Sequence, residues 1–427
     1  MANTKNKTIL CFDNGLFFEF CLAMTDHYKE VLYYCPWDSS SFPNIEKARI
    51  GTEWVNGKQL STFDGKPFRT VSTFFDHLEE ADVVLFTDCY QGDLMEHVRQ
   101  MGYPVCGSGK GQILELDRWS CKQMFKSLGM DVNGMKRVIG ISALREVLSK
   151  EKNKYVKLCT YRGLMESFHH EEYGLSRIML DKIETQLGSV SETVEFIVED
   201  PIDAIVEEGI DIYTVNGKYP KMVLSGTEIK SEAYYGELTE YSKLSPGVQK
   251  TTDAIAPLMK KYEYKGFVST EVRTTKDDKN YLIDMTCRLP LPPSPLYPLM
   301  FENLGEIVWG LANGELIEIK PKAKCGLYLT ISSTNYKANY QTIHFPEKYR
   351  ENIKLVNAVK VDGEYSTLNI NNFPVPQIGA IVVAGESFDE CKKKVEEIAK
   401  EIKGLEVDID TSYLDEAKEE FDKMKKS

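Results

Sequence analysis

The sequence predicts a chain of mixed α/β and α+β class, with an N-terminal doubly wound parallel-sheet domain followed by α+β blocks. Three patterns lead there. Short β-branched and aromatic runs alternate with helical stretches from residue 8 to residue 107, the layout of a parallel sheet with crossover helices. The middle of the chain carries strand runs separated by tight turns. From about residue 322, strand signals lead into two amphipathic helices. At 427 residues the chain exceeds one compact core, and two to three domains are expected.

Thr8-Ile-Leu-Cys-Phe12 is the first strand, closed by the turn signal Asp13-Asn14-Gly15 and followed by an apolar helical stretch. Val31–Cys35 is the second strand, and Ala81–Thr87 is a buried strand after a helix at Phe74–Glu80. Leu94–Gly102 reads as a helix with a glycine stop, and Pro104–Gly107 as a short strand. The first domain therefore spans residues 1–112. Leu114–Gly129 is helical with Gly129 at its end, and Val138–Glu151 carries another helix. Lys154–Cys159 and Val194–Glu199 are strands, and Ile210–Val215 runs into the hairpin signal Asn216-Gly217. Gly266–Val272 and Lys279–Met285 are two strands joined by the charged turn at 276–278. Strand signals at 326–332, 354–361 and 378–384 precede a helix whose Cys391, Val395, Ile398, Ala399 and Ile402 share one face. Leu414, Ala417, Phe421 and Met424 repeat that stripe.

Acidic residues outnumber basic ones 65 to 52, a formal net charge of −13. Duplex nucleic acid and anionic membranes both demand clustered Lys and Arg, so neither is expected as a partner. No run approaches the roughly 20 apolar residues of a membrane helix, and Met1–Lys7 lacks the layout of a signal peptide. None of the ten cysteines forms a C-x-x-C pair, so buried free thiols in a cytoplasmic protein are expected.

Gly107-Ser-Gly-Lys-Gly111 imitates a phosphate loop, but Pro104 stands where the first glycine of that motif belongs. Glu271 and Asp284 are stronger candidates. Each lies on a strand of one hairpin, where pairing brings carboxylates to one side, and two such oxygens plus ATP phosphates suit Mg²⁺. Arg288, four residues past Asp284, is placed for a forked phosphate contact. Lys157 lies on a strand and Lys122 on an earlier helix. An acid on a surface strand or a lysine on a helix is ordinarily a solvated residue, so the case rests on their combination.

In their order along the chain these residues resemble the ATP-grasp superfamily, within it the phosphoribosylamine–glycine ligase family. Ala81–Thr87, Gly102–Ser108 and Leu114-Glu-Leu-Asp-Arg118 are similar to that family's passage into its nucleotide domain. Lys122, seven residues before Gly129, and Lys157 in Tyr-Val-Lys-Leu match the two nucleotide-binding lysines. Glu195-Phe-Ile-Val-Glu-Asp200 resembles the strand that receives the adenine, which implicates Glu199 and Asp200. Glu207 or Glu208, with Glu208 favoured, falls where the family places a ribose-binding acid. Ile283-Asp-Met-Thr-Cys-Arg288 stands in for its I-E-x-N-x-R metal motif, so Asp284 and Thr286 join Glu271 as metal ligands and Arg288 keeps the arginine position. The resemblance implies a central ATP-grasp domain at 113–320, of two α+β subdomains meeting near residues 198 and 199, and a small C-terminal α+β domain at 321–427. It implies an ATP-dependent ligase that joins a carboxylate to an amine through an acyl phosphate, releasing ADP and phosphate. Lys157 and Arg288 would be its catalytic cations, ATP and Mg²⁺ (or Mn²⁺) its cofactors, and a monomer or homodimer its assembly.

The departures carry information too. Thr286 replaces the metal-binding Asn, and the loop 160–166 keeps only Gly163 of a glycine-rich cover, with Arg162 beside it. Two phenylalanines, Phe17 and Phe18, replace the family's Arg-Glu element, and Pro290-Leu-Pro-Pro-Ser294 replaces an acidic one. An acceptor less phosphate-rich, more apolar or larger than phosphoribosylamine is expected. An eroded ATP-binding sensor or structural subunit is the alternative; a bicarbonate-using carboxylase ranks below both. His169-His170 is expected to be a surface pair.

Overall fold

The computed structural model describes residues 3–36, 38–39, 48–160, 167–334, 340–368 and 377–426. Strand β1 (Thr8–Phe12) lies at the centre of a five-stranded parallel sheet with β2 (Glu30–Tyr34), β3 (Phe68–Val71), β4 (Val83–Phe86) and β5 (Val105–Cys106), in the order β3-β2-β1-β4-β5. Alternate residues of β1 enter two different cores. Leu10 and Phe12 pack with Met95 and Val98 of helix α2 (Gly92–Gln100). Ile9 and Cys11 pack with Phe18 and Cys21 of helix α1 (Phe18–Ala23). Burial on both faces explains why this strand reads as an unbroken apolar run.

The helix expected at 114–129 is two, α3 (Ile113–Leu116) and α4 (Arg118–Ser127), broken at Asp117, whose carboxylate caps α4 by accepting from Ser120 N at 2.9 Å. Val138 and Ile139, expected in a helix, belong to strand β6 (Met135–Ile139), and helix α5 (Ile141–Lys150) starts after Gly140 at φ +86°. With β7 (Lys154–Leu158), β8 (Ser167–His170) and β9 (Glu195–Glu199), β6 forms a four-stranded antiparallel sheet in the order β6-β9-β7-β8.

A nine-stranded sheet follows. It contains β10 (Ala204–Val215), β11 (Met222–Ile229), β12 (Ala233–Glu240), β13 (Lys265–Thr275), β14 (Asn280–Thr286), β15 (Cys325–Ser333), β16 (Ile353–Leu355) and β17 (Gln377–Gly385) in the order β14-β13-β10-β11-β12-β15-β17-β16, with Val407–Asp408 pairing to β15. The turn after β10 has Asn216 at φ +54° and Gly217 at φ +80°, the two left-handed residues that such a turn requires. A Cβ at Gly217 would stand 2.6 Å from Ala256 Cα, on the helix α6 (Pro246–Lys261). The sheet runs unbroken across residue 320, because β15 pairs with β12. Ala358–Val361 also pairs in parallel with Glu53–Val55 of the N-terminal block. The divisions at 112 and 320 therefore remain a proposal about chain segments that share sheets. Helices α7 (Phe388–Glu401) and α8 (Ser412–Lys426) bury the two stripes read from the sequence, except for the partly buried Ala399 and Met424 and Ile402 just past the first helix.

No helix among the described residues is long and apolar enough to cross a membrane. All ten cysteines are buried and unbridged. His169 is exposed, as expected, and stacks on Tyr155 with ring centroids 4.8 Å apart. His170 is not a surface residue. It is fully buried, bonded to Ser176 Oγ at 2.8 Å and to the carbonyls of Leu148 and Glu151.

An ionic cluster ties the first block to the last. Arg350 reaches Glu19 at 3.0 Å and Asp64 at 2.7 Å, and Lys360 and Tyr365 also bind Asp64, each at 2.7 Å. Burial acts to raise the Asp64 pKa, but Arg350, Lys360 and Tyr365 outweigh it and hold that pKa down. Stability drawn from Asp64 is therefore complete above its ordinary value of 3.8 and is lost as pH falls through the depressed folded value. Arg350→Met, which strips nearly buried Glu19 of the arginine and leaves Asp64 to Lys360 and Tyr365, is expected to cost about 3–5 kcal/mol in urea unfolding. A change below about 1 kcal/mol would show the cluster to be incidental.

Candidate active site

Lys122 on α4, Lys157 on β7 and Glu199 on β9 converge between the four-stranded sheet and the β13–β14 hairpin. Lys157 and Glu199 share a face because Tyr155, two residues before Lys157, stands opposite Glu199 in the register. Both lysines are buried, at 6% and 7% exposure, and Glu199 is 4% exposed. The Glu199 carboxylate bridges them, each oxygen 3.6 Å from one ammonium. Lys122 Nζ also donates to Leu282 O at 2.9 Å, and Lys157 Nζ to Ile283 O at 3.5 Å, both on β14. Lys157 lies 3.6 Å from Asp284 as well.

Burial pulls the Lys122 pKa down, with Glu199 and Asp284 only partly opposing it. Burial acts the same way on Lys157, but there Asp284 and Glu199 prevail and its pKa is raised. The two ammoniums thus sit in one low-dielectric pocket with Glu199 and Asp284 as counter-charges, and a polyphosphate entering it would compete with those carboxylates for them.

The hairpin register sets Glu271 directly opposite Asp284 and Ser269 opposite Thr286, so that Glu271, Asp284 and Thr286 line one face. Burial, then the carboxylates of Asp284, Glu207 and Glu228, push Glu271 up to about 8, against Lys157. Glu271 is nevertheless an exposed residue, so the repulsion from Asp284 is the part that a cation would relieve. Among the described residues, no three His, Cys, Asp or Glu side chains gather as a complete metal cage. A divalent ion here would draw its remaining oxygens from substrate phosphates and water.

The remaining candidates separate. Arg288 is held by Glu115, 1% exposed, with Nε donating to Oε1 at 3.1 Å, and it lies 3.7 Å from Asp88. The other oxygen of Glu115 accepts from Cys287 N at 2.5 Å. Asp200 points outward to Lys154. Its N–H donates to Gly134 O at 2.8 Å and its carbonyl accepts from Asn133 at 2.8 Å, so these backbone groups are engaged. Glu207 and Glu208 project to opposite faces. Glu207 pairs with Arg273 at 2.6 Å on the Glu271 side, while Glu208 accepts from Ser245 Oγ at the cap of α6. Glu207 therefore shares the face of Glu271, and Glu208 lies on the other face of the sheet. Arg162 and Gly163 lie outside the described residues.

Two residues escaped the sequence reading. Arg118, the first residue of α4, is 5% exposed, donates to Leu158 O at 2.8 Å and sits 3.6 Å from Asp284. Glu115 orders the Arg288 end. The only sequence signal for either was the stretch Leu114–Arg118, which carried the resemblance without assigning roles. Phe18 is a core residue, packed against Tyr33, Phe63 and Phe68, which removes it from any acceptor pocket.

The architecture is that of the ATP-grasp enzymes. Among solved structures, the chain is similar to a phosphoribosylamine–glycine ligase from Thermotoga maritima, with a TM-score of 0.69 at 14% identity over 94% of this chain and 98% of that one. It is also similar to a Campylobacter jejuni biotin carboxylase crystallised with a β,γ-ATP complex, with a TM-score of 0.61 at 13% identity over 94% and 93%. An L-amino acid ligase from Bacillus licheniformis gives a TM-score of 0.58 at 14% identity over 94% and 99%. No family model and no curated protein matches the sequence.

Proposed function

We propose that this chain is an ATP-dependent carboxylate–amine ligase. The observation that carries the reading is the buried Lys122–Glu199–Lys157 bridge beside the opposed pair Glu271 and Asp284, in a fold shared with enzymes solved with ATP or ADP. Lys122 and Lys157 would hold the α- and β-phosphates, and Glu207 the ribose. The strand ending at Glu199 and Asp200 would border the adenine. Glu271 and Asp284, with the Thr286 hydroxyl, would hold Mg²⁺ or Mn²⁺, which neutralises charge on the β- and γ-phosphates when bound.

A carboxylate oxygen of the acid attacks the γ-phosphorus and ADP leaves. The amine nitrogen then attacks the acyl carbon, phosphate departs with the former carboxylate oxygen, and the nitrogen loses a proton. Arg288, oriented by Glu115, and Lys157 would stabilise charge on the transferring oxygens. The substrates are small molecules, the assembly a monomer or homodimer, and the setting the cytoplasm.

Isotope transfer tests the reading. With acid labelled with ¹⁸O in its carboxylate and a pool of amines, ADP release is expected to require both, and the label is expected in phosphate. Binding of Mg-ATP with no ADP under any pool would support the sensor reading instead. Phosphate free of label would remove the acyl phosphate.

A further inference from the structure

Cys325 opens β15 and Cys391 lies one turn into α7, and their sulfurs are 4.0 Å apart. Three features bring them together. Cys325 stands opposite Gly385 in the register of β15 and β17. Gly385 has no side chain to hold the helix off, and a Cβ there would stand 3.0 Å from Cys391 Sγ. Ser387 caps α7 by accepting from Glu390 N at 3.4 Å, which fixes the turn that carries Cys391.

Both thiols are covered, at 2% and 0% exposure, but they lie at the rim of the fold. Their neighbours Lys324, Glu386 and Glu390 are all exposed, and Lys324 pairs with Glu386 at 2.7 Å in solvent. So solvated an ion pair holds little, and the cover opens at small cost.

The two sulfurs are not equivalent. The hydrogen bond from Cys391, aided by Tyr235, outweighs burial and the charges of Glu237 and Glu390 and holds the Cys325 pKa down. Cys391 is pushed up by that same bond, then by burial. Cys325 is therefore the readier thiolate, and the thiolate is the nucleophile. Cys11 and Cys21 also lie within hydrogen-bond reach of each other, and they provide the contrast. Both are fully buried between β1 and α1, and burial foremost raises the Cys21 pKa.

We infer that Cys325 and Cys391 are a peroxide-sensitive dithiol that closes to a disulfide between β15 and α7. This modification site is independent of the ligase reading. The Cys325 thiolate attacks hydrogen peroxide, the O–O bond breaks, hydroxide leaves, and Cys325 becomes a sulfenic acid. The Cys391 sulfur then attacks that sulfur, the S–O bond breaks, and the Cys391 proton leaves with the oxygen as water. Two electrons have passed from the thiols to the peroxide, and the hydroxide becomes a second water with the proton that Cys325 gave to solvent. The sulfurs close from 4.0 Å to about 2.0 Å, a movement on the scale of a side-chain rotation. The bond closes a loop that contains Arg350 and Lys360, whose carboxylate partners tie the last block to the first.

The test is a thiol count with a peptide mass map on the full folded chain, reduced, freed of reductant and treated with hydrogen peroxide. Two of the ten thiols are expected to disappear with a mass loss of two hydrogens. The peptides bearing Cys325 and Cys391 are expected to stay joined until dithiothreitol is added. In Cys391→Ser the sulfenic acid is expected to persist at Cys325, where dimedone traps it; Cys325→Ser is expected to form no disulfide. All ten thiols unchanged, or a bond that joins any other two cysteines, Cys11 and Cys21 included, would overturn the pair. The wild-type map decides this even where a serine variant fails to fold.

Discussion

Asp284→Ala is expected to lower ATP-dependent ADP release by about 10²–10³-fold, the order lost when one preorganised charge contact to a transition state is removed. Asp284 touches three parts of the site at once. It opposes Glu271 across the hairpin and lies 3.6 Å from both Lys157 and Arg118. Its loss leaves Lys157 paired with Glu199 and Arg118 bonded to Leu158 O, so the fold has other supports. At 27% side-chain exposure, its structural contribution belongs with partly solvated pairs, about 1 kcal/mol. Thermal melting should therefore move little while turnover collapses. Asp284→Glu, which restores the residue of the resembled motif, is expected to stay within about tenfold of wild type. Turnover unchanged in Asp284→Ala would remove the hairpin from the chemistry.

Glu199→Gln is expected to be the most destabilising change at the site in the nucleotide-free protein, by about 3–5 kcal/mol, because two buried ammoniums lose the carboxylate that separates their charges. Saturating Mg-ATP should recover most of that loss, since its phosphates supply the missing negative charge between Lys122 and Lys157. Melting temperatures of wild type and variant, with and without Mg-ATP, check this directly. An equal deficit in both conditions would mean that the nucleotide does not sit against these lysines. Wild-type protein provides the reference, because there Glu199 already offsets the charge.

Much of this architecture is encoded locally. Thr8–Phe12 announces a strand buried on both faces, Asn216-Gly217 announces its turn, and the stripe from Cys391 to Ile398 announces its helix. Each follows from backbone sterics and side-chain period over a few residues. The opposition of Glu271 and Asp284 belongs here too, since a short hairpin sets its own register.

The bridge of Lys122, Glu199 and Lys157 is different. Its members come from α4, β9 and β7, and no spacing rule joins them; only the resemblance to a known family placed them in one site. Arg118 and Glu115 lay within reach of that resemblance yet gained their roles from partners at Asp284 and Arg288, more than 160 residues away. Which of Glu207 and Glu208 shares the Glu271 face depended on the pairing of β10 with β13, which sets Glu207 against Arg273. Val138 and Ile139 went to a strand because β9 was there to pair with them. Local chain stiffness and periodicity therefore specify the elements, their turns and the hairpin acids. Long-range pairing and burial select which charges meet, that Phe17 and Phe18 both enter the core, and that one sheet runs from Ala204 to Gly385. The reason is physical: a contact between distant residues depends on every element packed between them, and its energy is absent until they assemble.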